Sequence, residues 1–127
     1  MWLKQSQVDQ EEENLRQKMR NFSDSRRAFL FKRFKNELKD PDTYAALNWS
    51  LVAGLHHFYL GQWLRAIVEF GVFIFGIFLL INDFQLGLLL ILVTLVIEFV
   101  ELTRSQITVQ NFNNHLMQKI IDDPKSF

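Results

Sequence analysis

The sequence predicts an all-α membrane protein. Its centre is an antiparallel transmembrane helical hairpin, preceded by an interfacial or partly inserted helix and flanked by amphipathic cytoplasmic helices. Three observations predict this. Two apolar stretches, WLRAIVEFGVFIFGIFLLI at 63–81 and FQLGLLLILVTLVIEFVEL at 84–102, approach the ~20 residues that cross a hydrocarbon core. Only Asn82-Asp83 separates them, a length suited to a helical hairpin. The basic residues crowd the segment before the first stretch and avoid the turn.

At 127 residues the chain is about one domain long. Lys+Arg and Asp+Glu both number 14, so no net charge draws it toward nucleic acid, and no nucleic-acid partner is expected. With no cysteine, disulfides, thiolate metal ligands and cysteine nucleophiles are excluded. A mean hydropathy of +0.02 averages two unlike parts. The strong hydrophobicity lies between Ala66 and Val100, and most of the charge lies before Pro41.

Residues 1–40 read as a cytoplasmic helical region. Over 5–20, Glu11, Glu12 and Glu13 precede Arg16, Lys18 and Arg20, an order that permits spaced ion pairs and suits the helix dipole. Apolar content there is thin (Val8, Leu15, Met19), which predicts an exposed, partly frayed helix. Residues 24–39 are basic and amphipathic. Leu30, Phe31, Phe34 and Leu38 share an arc of about 100°, with Phe29 the exception. Lys32, Lys35 and Lys39 sit opposite and Arg33 on a flank, so Lys32, Arg33, Lys35 and Lys39 are the expected contacts to the anionic headgroups of a lipid bilayer. Packing of this helix against another helix of the chain is the competing expectation.

Asp40-Pro41 punctuates the chain, since proline disfavours helix in the residue before it and suits the first helical position. Residues 41–121 read as the membrane domain. Its first element is a helix over 41–60 with a short apolar run, Leu51–Leu55, and polar Asn48, Ser50, His56 and His57. It is expected to tilt in the cytoplasmic interface or insert partly. Membrane helices over 63–81 and 84–102 follow, apolar on all sides. One continuous helix is excluded, because about 38 residues would reach ~57 Å. Charge asymmetry puts both termini in the cytoplasm and Asn82-Asp83 outside, in a bacterial inner membrane or its equivalent. The second membrane helix should continue past Arg104 as an extension over 103–121, with Val109, Phe112, Leu116 and Ile120 at helical spacing. Its stripe is a partner for residues 24–39. Asp123-Pro124 should stop it, leaving 122–127 as a tail.

Folding the hairpin about Asn82-Asp83 matches residues by depth. Arg65, Glu69, Glu98 and Glu101 then share one level, and GLHHFYLG at 54–61 brings His56, His57 and Tyr59 to it. Ionised groups at membrane depth are costly and pair or face protein and water. The cluster is therefore expected to be structural, with a proton-linked role as the second expectation. Adjacent histidines on a helix diverge by about 100°, so no metal site is expected. No catalytic or nucleotide-binding motif is present, and neither enzyme activity nor a cofactor is expected. Trp49, Tyr59 and Trp63 suit a headgroup boundary. Gly61 suits a left-handed helix cap.

Gly54, His56, Phe58, Tyr59, Leu60 and Gly61 within GLHHFYLG resemble the Gly-x-His-Arg-Phe-Tyr-Leu-Gly signature of the TM-two (two-transmembrane-helix) domain family. Glu98 is similar to that family's acidic position near its last membrane helix. The resemblance covers about residues 43–113. His57 departs from it by standing where the family has Arg, and so titrates nearer neutrality. The resemblance implies a small integral membrane protein and no particular reaction. The function expected is a non-enzymatic membrane scaffold or adaptor, with homo-oligomerisation or a membrane-protein partner. The alternative is a subunit of a small oligomeric channel or transporter.

Overall fold

A computed structural model describes residues 2–49 and 54–123 of the chain. The described residues are helical, with no strand among them. They form two compact units. One comprises Met1–Asp40 with Gln106–Phe127, the other Pro41–Ser105.

The first unit contains α1 (Gln5–Arg20), α2 (Asp24–Glu37) and most of α7 (Ser105–Asp122). Ser23 caps α2, its hydroxyl accepting from the Arg26 N–H at 3.3 Å. The core joins Leu15 and Met19 of α1, Leu30 of α2, and Met117, Ile120 and Ile121 of α7. The expected pairing of residues 24–39 with the later stripe is present. α1 is exposed over most of its surface, as expected, but it is not frayed and docks by one seam. Val8, Leu15 and Met19 are all buried. They are spaced by seven and four residues, which at 100° per residue places them within ~40° of one another. That narrow seam suffices to dock the helix. Polar bonds fix it further: Asn114 Nδ2 donates to the Val8 carbonyl at 2.9 Å, and Gln110 Nε2 donates to Asp9 and Glu12. Hydrogen bonds from Gln110 and Gln5 hold the Asp9 carboxyl below its usual range.

The apolar face expected on α2 is split. Leu30 is fully buried and Phe34 packs on the core, whereas Phe29, Phe31 and Leu38 are exposed. Of the expected headgroup contacts, Arg33 pairs with Asp123 at 2.7 Å and with Glu37 at 3.5 Å. The main chain of Lys39 exchanges two hydrogen bonds with the Asn113 amide.

The second unit contains α3 (Pro41–Trp49), α4 (Leu55–Tyr59), α5 (Trp63–Ile81) and α6 (Leu86–Thr103). A single helix over 41–60 is not observed. Gly54, at φ 86°, interrupts it by turning the chain left-handed before α4. The apolar run Leu51–Leu55 lies, as far as Ala53, outside the described residues, as does the tail from Pro124 onward.

α5 and α6 form the expected hairpin, and both are long and apolar enough to cross a membrane. The turn is longer than Asn82-Asp83, and α6 starts at Leu86 rather than at residue 84. A Schellman closure explains this. Phe84 N–H bonds back to the Leu79 carbonyl at 2.9 Å and Asp83 N–H to Leu80 at 3.1 Å, which withholds both residues from α6. Asp83 occupies the left-handed position with φ 63°, where glycine is the unstrained choice. Asp83→Gly should stabilise the hairpin by about 0.5–1 kcal/mol, read as a raised thermal midpoint in detergent micelles.

Below the turn the helices meet backbone to backbone. A Cβ on Gly87 would lie 2.4 Å from the Gly76 carbonyl oxygen and 2.8 Å from the Leu80 nitrogen. Gly71 faces open space and takes no part. At the other end, the helix expected to run on through Arg104 is broken. Thr103 Oγ1 donates to the Val100 carbonyl at 2.7 Å, and Arg104 N–H bonds the Glu101 carbonyl at 3.1 Å. This three-residue spacing tightens the last turn out of α geometry, so α7 starts afresh at Ser105. As expected, α7 ends before Asp123.

Candidate functional site: a buried histidine–carboxylate cluster

GLHHFYLG forms a one-turn helix between two left-handed glycines. The Gly54 carbonyl accepts from His57 and Phe58 N–H and so starts α4. A Cβ at Gly54 would meet the Ala66 carbonyl oxygen at 2.6 Å, so only glycine lets α4 lie this close to α5. Gly61, at φ 74°, closes α4 by a second Schellman motif: Gln62 N–H bonds the His57 carbonyl at 2.9 Å and Gly61 N–H that of Phe58 at 3.0 Å. The left-handed cap expected at Gly61 is thus present. The closure also folds Gln62 back over His57, whose Nδ1 lies 3.1 Å from the Gln62 side-chain oxygen.

Both histidines are fully buried. Their backbone vectors diverge, yet the side chains turn together, with ring centroids 3.9 Å apart. His56 Nε2 lies 2.6 Å from Glu101 Oε2. His57 Nε2 lies 2.9 Å from Glu69 Oε2 and 3.1 Å from Glu101 Oε2. These last contacts are close in distance but misdirected for hydrogen bonding, which leaves His57 Nε2 and Glu69 Oε2 buried without a hydrogen-bond partner. Arg65 approaches from the opposite side. Its Nε donates to Glu69 Oε1 at 3.2 Å and its Nη2 to Glu101 Oε1. Each carboxylate therefore turns one oxygen to Arg65 and the other to the histidines.

Burial disfavours the His57 imidazolium, but interactions with Glu101 and Glu69 outweigh it and raise His57 to about 9. A proton on His57 at neutral pH offsets the facing carboxylates. Burial, reinforced by the nearby Glu101 charge, holds the Tyr44 phenol above its ordinary range.

Of the residues expected here, His56, His57, Arg65, Glu69 and Glu101 come together. Glu98, one turn earlier on α6, is buried with Oε1 unpartnered, while its main-chain carbonyl accepts from Asn48 Nδ2 at 3.0 Å. Tyr59 is half-buried at the end of α4. Three contributors escape sequence reasoning. Tyr44 sets its ring edge-on to His56 at 5.2 Å, Asn48 ties α3 to α6, and Gln62 orients His57. The single available signal was Gln62, the residue just past a glycine cap, where a Schellman turn returns the chain over its own helix.

The fold and site together define a protein whose described residues are all-helical, with an apolar hairpin whose base faces a one-turn helix through two buried histidines, two partly buried carboxylates and Arg65. No family model, curated protein or solved structure matches the chain.

Proposed function

We propose that this is an integral membrane protein of the TM-two type, acting as a non-enzymatic scaffold or adaptor. One observation carries the reading. α5 and α6 are only 11% and 17% buried over their apolar windows, with Phe70, Phe75, Phe78, Leu89, Val96 and Phe99 among the exposed side chains. A core helix of a water-soluble protein would bury such residues, and soluble monomers rarely expose contiguous apolar patches beyond a few hundred Å². Lipid is the solvent that suits this surface. The basic residues before α5 favour cytoplasmic termini and an external Asn82-Asp83 turn. GLHHFYLG supports the family assignment by resemblance.

Scaffolding is preferred over transport because Glu69 and Glu101 are both held by Arg65 and face the histidines of α4, an arrangement suited to holding helices together. The test is flux in reconstituted liposomes. Neither the wild type nor Glu98→Gln should pass protons or ions. A wild-type flux that Glu98→Gln removes would establish the channel alternative instead.

A further inference from the structure

We propose that His56, His57, Glu69 and Glu101 form a closed site for one divalent transition-metal ion of the zinc class, a clip that ties α4 to α5 and α6. The proposal goes beyond the scaffold reading and does not depend on membrane insertion.

Four observations carry it. One ligand atom from each of the four residues lies within 4.8 Å of all the others. Three nitrogen–oxygen separations among them are short: His56 Nε2 to Glu101 Oε2 at 2.6 Å, and His57 Nε2 to Glu69 Oε2 at 2.9 Å and to Glu101 Oε2 at 3.1 Å. A tetrahedral zinc with bonds of about 2.0–2.1 Å spaces its ligands by ~3.3 Å, so the close pairs need to part by ~0.2–0.7 Å and the wider ones, all within 4.8 Å, need to draw in.

Second, His57 Nε2 is a fully buried, unpartnered atom aimed into the group. Gln62 accepts the Nδ1 proton, so Nε2, when unprotonated, turns its lone pair toward two carboxylates. That repulsion is relieved by a cation between them, either a proton or a metal ion.

Third, the outer contacts of three of the four residues match those that orient metal ligands, His56 Nδ1 being without a hydrogen-bond partner. Arg65 holds the far oxygen of both Glu69 and Glu101, and Gln62 holds the far nitrogen of His57. Fourth, the donors are two imidazoles and two carboxylates, a set that suits zinc and similar first-row ions. With four protein ligands the coordination sphere is closed, which fits a structural ion.

The test uses the full chain in detergent micelles, stripped with EDTA and titrated with Co²⁺ and Zn²⁺ separately. The expected result is one Co²⁺ per chain, with the intense visible absorption of four-coordinate cobalt and displacement by Zn²⁺. His57→Ala and Glu101→Ala should remove that absorption. Gln62→Ala, which removes no ligand atom but releases His57 Nδ1, should weaken affinity by about 10-fold or more. His115→Ala, at an exposed histidine outside the cluster, should change nothing. Because a ligand variant can misfold, the wild type is read alone as well: Zn²⁺ should raise the thermal midpoint of the stripped protein in a concentration-dependent way. Absence of both the cobalt bands and the Zn²⁺-dependent rise overturns the proposal, leaving His57 bridged by a proton only. Binding that survives in a folded His57→Ala variant also overturns it.

Discussion

Replacing Glu101 with alanine should cost about 3 kcal/mol or more of stability, measured by thermal unfolding in micelles with EDTA present. The reason is the number of groups that this one carboxylate serves. Its Oε2 faces His56 at 2.6 Å and His57 at 3.1 Å, and its Oε1 accepts from Arg65. Removing one partner of a buried charge pair costs about 3–5 kcal/mol, because the remaining charge stays desolvated. The lower end applies here, since the Arg65 side chain is 52% exposed and can turn to water. The histidines have no such escape, because both are fully buried. Glu101→Gln keeps an acceptor for His56 and Arg65 but removes the charge, so it should cost less than Glu101→Ala. Equal losses would mean that volume, not charge, holds the cluster.

The second large effect lies near the turn of the hairpin. Gly87→Leu should open the α5–α6 contact at a cost of about 3 kcal/mol or more, at or beyond the 1–3 kcal/mol typical of overpacking. Even a Cβ at Gly87 would lie under 3 Å from Gly76 O, Leu80 N and Leu79 Cβ. The first two are backbone atoms, so the helices themselves must separate. Amide exchange in micelles reads the change directly: protection should fall across Gly76–Leu80 and Leu86–Leu90. Gly71→Leu is the control, because nothing lies within 4 Å of its Cβ position. It should leave exchange unchanged.

The fold was legible where one physical signal dominates. Apolar runs of membrane-spanning length and a polar turn defined α5 and α6. The turn's true length was not legible, because an aspartate rather than a glycine takes the left-handed position. Matching residues by depth across the hairpin brought Arg65, Glu69 and Glu101 together correctly, since antiparallel helices convert sequence distance from the turn into height. The exposure of α1 follows from its few apolar residues, but its docking does not. Their seven-and-four spacing, not their number, decides whether a helix can dock.

The histidine pair shows a different limit. Helical periodicity fixes where Cβ vectors point, and on that basis His56 and His57 diverge. It does not fix where rings end up when the helix is a single turn packed against two longer ones. That outcome depends on Gly54, whose missing Cβ lets α4 touch the Ala66 backbone. It depends as well on Tyr44, which reaches His56 from an element more than ten residues away in sequence. Such contacts follow from tertiary packing and have no periodic signature.

The exposed apolar surface of α5 and α6 calls for lipid around these helices. Alkaline carbonate extraction of membranes from cells expressing the full chain tests it most directly. The protein should stay in the pelleted bilayer and enter solution only with detergent. Release into the carbonate supernatant, as a monodisperse species in plain buffer, would contradict the claim.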